Sequence, residues 1–182
     1  MANPSFPHPP SLPLALVIDL EALAHNYRTL CAHVRKGTLC GAVLKANAYG
    51  MGVKDTSARL YEEGCRHFFL AHLSEAIELK TFVGEDAHIY VLNGLRRGDE
   101  EVYAHYNLIP VLSDPQQIHA WNTFCQTKET PYKAALFFDT GLSRTGLSEA
   151  AIEGLGLLQI SHMEIVCVIS HLACSYQATH PM

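Results

Sequence analysis

Lys45 stands where a side chain could do covalent chemistry. The run Gly41-Ala-Val-Leu-Lys45 is apolar up to the lysine, and Ala46-Asn-Ala-Tyr49-Gly-Met-Gly52 comes directly after it. Asn47 and two glycines disfavour both strand and helix, so the strand is expected to stop near Lys45 and hold its amine at the rim of a sheet. Apolar neighbours at such a rim disfavour the ammonium ion. A neutral amine is a nucleophile for a carbonyl, as a Schiff base with an aldehyde cofactor requires. A strand-end lysine can equally snorkel to water, so position alone does not assign it a role.

Two further stretches carry candidate groups. In Phe138-Asp139-Thr-Gly141-Leu-Ser-Arg144-Thr-Gly146, an arginine sits in a glycine-bounded turn after an apolar run. Such a turn can aim a rigid fork of donors into a site. In Ile165-Val-Cys-Val-Ile-Ser170-His171-Leu-Ala-Cys174, a histidine closes another apolar run. Six apolar runs in all end on a polar residue: Lys45, His72, Asn93, Ser113, Asp139 and His171. In a parallel βα sheet every C-terminal strand end lies on one side, and in a (β/α)8 barrel that side carries the active site.

The elements that must position these groups alternate. Ala15 to Asp19 is a short apolar run, with Asp19 placed as an N-cap. Leu23, Tyr27, Leu30 and Val34 then mark one helix face, closed by Gly37. Strands are expected over Leu39 to Lys45, Arg66 to His72, His88 to Asn93, Leu108 to Leu112, Lys133 to Asp139 and Glu164 to His171. Helices are expected over Lys54 to Glu63, from Ser74 as cap to Phe82, over Arg97 to Tyr106, and from Ser148 to about Leu158. Asp114-Pro115-Gln-Gln117 starts another in the manner of a capping box, with Ile118, Trp121, Phe124 and Cys125 on one side. Strands and helices recur at intervals of roughly 20 to 25 residues, the rhythm of βα units around a parallel sheet.

The chain has 182 residues, 48% hydrophobic and 17% charged, which is ordinary globular composition. Net charge is −5, and the longest basic clusters are pairs, Arg35-Lys36 and Arg96-Arg97, so nucleic-acid binding is not expected. Cysteines at 31, 40, 65, 125, 167 and 174 form no C-x-x-C pair and read as buried thiols in a reducing compartment. No stretch suits a signal peptide or a bilayer span, so a cytoplasmic protein with a loose tail over 1–14 is expected.

Val43-Leu-Lys45-Ala-Asn-Ala-Tyr49-Gly-x-Gly52 closely resembles the pyridoxal-phosphate lysine motif of alanine racemases, which often have histidine where this chain has Met51. The Asp139–Gly146 loop resembles the same family's Asp-Thr-Gly-x-x-Arg-x-Gly motif, and Ser170-His171-Leu-Ala its Ser-His-Leu-Ala segment. The later His180-Pro181 also resembles the family's continuation of that segment. The resemblance runs from about Ala15 to Met182. It implies a (β/α)8 TIM-type barrel in which Lys45 holds pyridoxal 5′-phosphate covalently. Tyr49 would hydrogen-bond the phosphate, Arg144 the phenolic oxygen, and His171 would pack on the pyridine ring. It also implies interconversion of l- and d-alanine for peptidoglycan, a homodimer, and a second base, a tyrosine, from the partner subunit. One position departs from the pattern. A lysine that is carbamylated in the family stands seven residues before the arginine, and here that position is Phe137.

A complete barrel of this type takes ~250 residues. The expectation is therefore that 15–182 is the N-terminal part of the barrel, without the remaining units or a C-terminal β-domain, and inactive alone. A non-catalytic cofactor-binding barrel and an inert truncated product are the alternatives.

Overall fold

The computed structural model describes residues 14–155 and 160–177. Along the chain run α1 (Leu20–His33), β1 (Ala42–Val43), α2 (Lys45–Tyr49), α3 (Val53–Glu62), β2 (His67–Leu70), α4 (Leu73–Lys80) and β3 (His88–Val91). Then come α5 (Glu100–Tyr106), β4 (Ile109–Leu112), α6 (Pro115–Thr127), β5 (Lys133–Phe137), α7 (Glu149–Glu153) and β6 (Glu164–Ile169). The strands form one six-stranded sheet in the order β1-β2-β3-β4-β5-β6, every pair parallel. This is the parallel βα sheet the alternating pattern predicts, since consecutive parallel strands need a helical crossover between them, and it is part of the barrel the resemblance implies.

The strands β2 to β5 are mostly apolar on both faces, as a sheet covered on both sides requires, whereas Val166 and Val168 of β6 are exposed. Phe68, Leu70, Ile89, Val91, Leu112, Ala134 and Leu136 pack outward against the helices. Tyr90, Ile109, Val111, Ala135 and Phe137 form an inner cluster, with Phe69, Leu92, Cys167 and Ile169 against it. Trp121 of α6 is fully buried in the outer layer, edge-on to Tyr103 at 5.9 Å and stacked on Phe124 at 5.4 Å.

Several expectations hold in detail. The Asp19 carboxylate accepts from the Ala22 N–H at 2.9 Å, and the Asp114 carboxylate from the Gln116 N–H at 2.7 Å. Ser148 caps α7 by accepting from the Ala151 N–H at 3.2 Å. The predicted extension of that helix toward Leu158 falls partly outside the described residues, as does the tail over 1–13.

Other details differ. The strand expected over Leu39 to Lys45 is confined to Ala42 and Val43, because only those residues find register partners, Phe68 and Phe69, while Leu39 is exposed. The run from Ala15 lies outside the sheet. Of the expected α1 face, Leu23 and Tyr27 pack on the core but Leu30 and Val34 face solvent. α4 starts at Leu73, one residue before the predicted cap Ser74, and its start is secured by Glu75 instead. Gln117 accepts from the Ser113 N–H at 3.2 Å and does not reach the cap residue. All six cysteines are free, but only Cys65 and Cys125 are fully buried.

At the N-terminal end of the strands, His67 of β2 and His88 of β3 are register partners, their rings stacked at 4.9 Å. Burial lowers the pKa of both. His88 lowers His67 further, and Lys133 lowers His88 against the opposing pull of Asp86 and Glu164. A folded pKa below the unfolded value near 6.5 means that the native state binds fewer protons. Their stabilisation is thus complete above pH 6.5 and is lost as the pH falls through the lowered values. The urea midpoint is expected to fall between pH 7.5 and 5, and His88→Gln should flatten that slope. An equal slope in the variant would remove the pair as its cause.

Candidate functional site

Lys45 does not end a strand but opens a left-handed turn. φ is 53° at Ala46 and 54° at Asn47, Ala48 and Tyr49. For residues other than glycine and asparagine this conformation costs roughly 1–2 kcal/mol each. The surrounding structure over-determines it. The Ala48 N–H donates to the Leu44 carbonyl at 2.9 Å, and the Gly50 N–H to the Ala46 carbonyl at 3.0 Å. Asn47 Oδ1 accepts from the Val53 N–H at 2.8 Å, joining the turn to the start of α3. The Ala48 side chain is buried in the outer core. At the front of the turn, Glu75 Oε1 accepts from the Ala46 N–H at 2.7 Å.

The turn faces a cavity of about 790 Å³ at the C-terminal ends of the strands. Lys45, Tyr49, Arg144 and His171, the four residues singled out in the sequence, all line it. Asn93, Ser113, Thr145 and Ser170 add hydroxyl and amide groups, and Val43, Phe69, Leu92, Phe137 and Ile169 supply an apolar floor. Of the six polar strand ends, four thus reach one cavity. His72 lines a neighbouring hollow instead, and Asp139 turns back into its own loop. Tyr49 is 60% exposed, so its ring hangs over the mouth of the cavity.

The arginine loop is built at its base. The Asp139 carboxylate accepts from the Ser143 N–H at 3.0 Å and from the Gly141 N–H at 3.0 Å. These bonds hold its pKa below the usual carboxylate range despite some desolvation. The Leu147 N–H donates to the Phe137 carbonyl at 2.7 Å and the Asp139 N–H to the Leu147 carbonyl at 3.0 Å, closing the loop on β5. Thr140 and Ser170 share a short hydroxyl–hydroxyl hydrogen bond, which links the loop to the end of β6 just before His171. Phe137 is buried in the inner cluster, so an apolar wall stands where the resembling pattern has a lysine.

Sequence reading missed Glu75. Its signal was present but local. A glutamate at the third position of a helix can reach back to N–H groups before the helix, and only the fold brings Ala46 within its reach.

An open-faced set of parallel βα units, with an amine, a guanidinium and an imidazole at the C-terminal strand ends, defines the class of barrel protein that works at that face. The family model of the alanine racemase N-terminal domain matches residues 18–182, and the chain belongs to that family. It is 42% identical over 160 residues to the alanine racemase of Brucella ovis, covering 87% of this chain and 40% of that protein. It is 41% identical over 167 residues to the catabolic alanine racemase of Agrobacterium fabrum, covering 91% and 43%. Among solved structures, the alanine racemase from Bartonella henselae with covalently bound pyridoxal phosphate superposes with a TM-score of 0.87 at 40% identity, over 90% of this chain and 48% of that one. The alanine racemase from Streptomyces lavendulae gives 0.80 at 27% identity, over 90% and 44%. The chain therefore spans less than half the length of these relatives.

Proposed function

We propose that this chain supplies the lysine half of a pyridoxal-phosphate-dependent racemase of alanine. The observation that carries the proposal is the convergence of Lys45, Tyr49, Arg144 and His171 on one cavity. The donor set fits the cofactor. A flat, anionic aromatic aldehyde calls for an amine, a cation, hydroxyl donors and an apolar surface for its ring. Lys45, Arg144, Tyr49 with Ser113, and Phe69 with Phe137 supply these in order. The volume also lies within the ordinary range for small-molecule sites.

When bound, pyridoxal phosphate supplies an electron sink that makes the α-proton of an attached amino acid acidic. The chain's own residues then have separate tasks. Lys45 Nζ would hold the cofactor's aldehyde carbon and would serve as the acid–base group for the α-proton on one face of the substrate. Tyr49 Oη would donate to the phosphate. Arg144 would offer its guanidinium fork to the phenolic oxygen, and His171 would pack beside the ring. Racemisation needs a second base on the opposite face. A tyrosine of a partner subunit would serve, so the active form is read as a homodimer working in the cytoplasm on alanine. Residues 15–182 act as the N-terminal part of the barrel in that assembly.

The test is direct. Pyridoxal phosphate is added to the purified chain, the visible band is recorded, borohydride is applied, and the modified lysine is mapped. Label confined to Lys45 is the expected result. No stable label, or scatter over Lys36, Lys54 and Lys80, would overturn the proposal.

A further inference from the structure

Glu75 lies on α4, on a different βα unit from Lys45, and has no task in the function just described. Its carboxylate is divided between two places. Oε1 accepts from the Ala46 N–H at 2.7 Å, and Oε2 from the Ala71 N–H at 2.9 Å and the His72 N–H at 3.0 Å. Burial raises its pKa, but the three N–H groups outweigh burial and leave it below the ordinary carboxylate range. The group is an anion at neutral pH, and its bonds are of the charge-assisted kind.

We propose that Glu75 is the positioning residue for Lys45, tying the first N–H of the left-handed turn to the end of β2 and so fixing the direction in which the lysine side chain leaves the sheet. The inference rests on the reading of Lys45 as the cofactor-binding lysine. The geometry explains why a carboxylate is needed. Three donors from two segments converge on it, and a carboxylate offers two oxygens with no proton of its own. Glutamine offers one acceptor oxygen. If that oxygen serves Ala71 and His72, the amide NH2 must face the Ala46 N–H, donor against donor. Aspartate keeps both oxygens but is one methylene shorter. It can still serve Ala71 and His72, four and three residues back, while losing Ala46. Both variants therefore loosen the turn and spare the start of α4.

The experiment compares E75Q, E75D and the unaltered chain in two ways. Amide hydrogen exchange is followed without cofactor, and borohydride-fixed label is mapped after adding pyridoxal phosphate. In both variants the amides of Ala46 to Tyr49 should exchange at least ~10-fold faster, with β2 and β3 protection kept, and label at Lys45 should fall by a similar factor. Unchanged exchange and unchanged label in both variants would overturn the proposal. If E75Q loses protection throughout the sheet, E75D decides. Loss throughout the sheet in both would make Glu75 a structural residue and also overturn it. Failure of the unaltered chain to label at Lys45 would instead overturn the cofactor reading. The exchange comparison would still decide whether Glu75 holds the turn.

Discussion

Lys45→Ala is expected to abolish borohydride-fixed pyridoxal phosphate on this chain while leaving its fold intact. The side chain is half-buried at the cavity rim and makes no ion pair among the described residues. Its removal should therefore shift stability by no more than about 0.5 kcal/mol, the usual scale for a surface change away from packing and caps. The left-handed turn is set by Ala46 to Tyr49 and by the bonds of Glu75 and Asn47, none of which uses the lysine side chain. Cofactor retention should behave differently. The covalent link is lost, and what remains is contact with Tyr49, Arg144, His171 and the apolar floor. A loss of about 3 kcal/mol in retention corresponds to a drop of roughly 100-fold. The readouts are the mass of the reduced adduct, the unreduced cofactor retained after gel filtration and the urea midpoint, measured on the same preparations. Adduct formed at another lysine in the variant, at the level seen in the parent, would show that the cavity does not direct the chemistry.

Much of this was legible in the sequence because it depends on local rules. Asp19 and Asp114 were recognisable as caps and Ser148 as a helix start, since each needs only its own next few residues. The parallel βα sheet was legible from alternation and the barrel from the resemblance of the motifs, and four of the six polar strand ends do meet at one cavity. What was not legible depends on partners distant in sequence. Leu39 resembles a strand residue but has no register partner, because β1 meets β2 only at Ala42 and Val43. The conformation after Lys45 could be placed as a turn, but its hand could not. Beside Asn47, its left-handed residues are two alanines and a tyrosine, which do not favour that region alone. The carboxylate of Glu75, 29 positions from Ala46, helps to hold them there. Propensity gave way to tertiary bonds at the residues that direct the lysine, where strain is most often found.

Gly146→Ala is expected to be the most damaging small substitution at the site, and the reason is close approach rather than backbone freedom alone. Gly146 has φ +113°, and a Cβ there would stand 2.6 Å from the Asp139 nitrogen and 2.9 Å from the Phe138 carbonyl carbon. Both are backbone atoms at the end of β5, pinned by the bonds between Leu147, Phe137 and Asp139, so no side chain can rotate away. Gly98 provides the comparison, with φ +96° and nothing within 4 Å of an added Cβ. Gly98→Ala should therefore carry only the conformational cost, about 1 kcal/mol, whereas Gly146→Ala adds the clash and should cost about 3 kcal/mol or more. For a chain of this size that is a drop of roughly 6–12 °C in Tm. The chain can relieve the clash by moving the loop off β5, which takes Arg144 out of the cavity two residues upstream. Label at Lys45 would then still form on reduction, but unreduced pyridoxal phosphate would be held about tenfold less tightly, roughly 1.4 kcal/mol. Lysine chemistry would thus survive while arginine positioning fails, a split that separates this variant from Lys45→Ala. Equal Tm values for the two glycine variants would mean that the bonds of Leu147 to Phe137 and Asp139 yield easily and that Arg144 is not held by the loop's base.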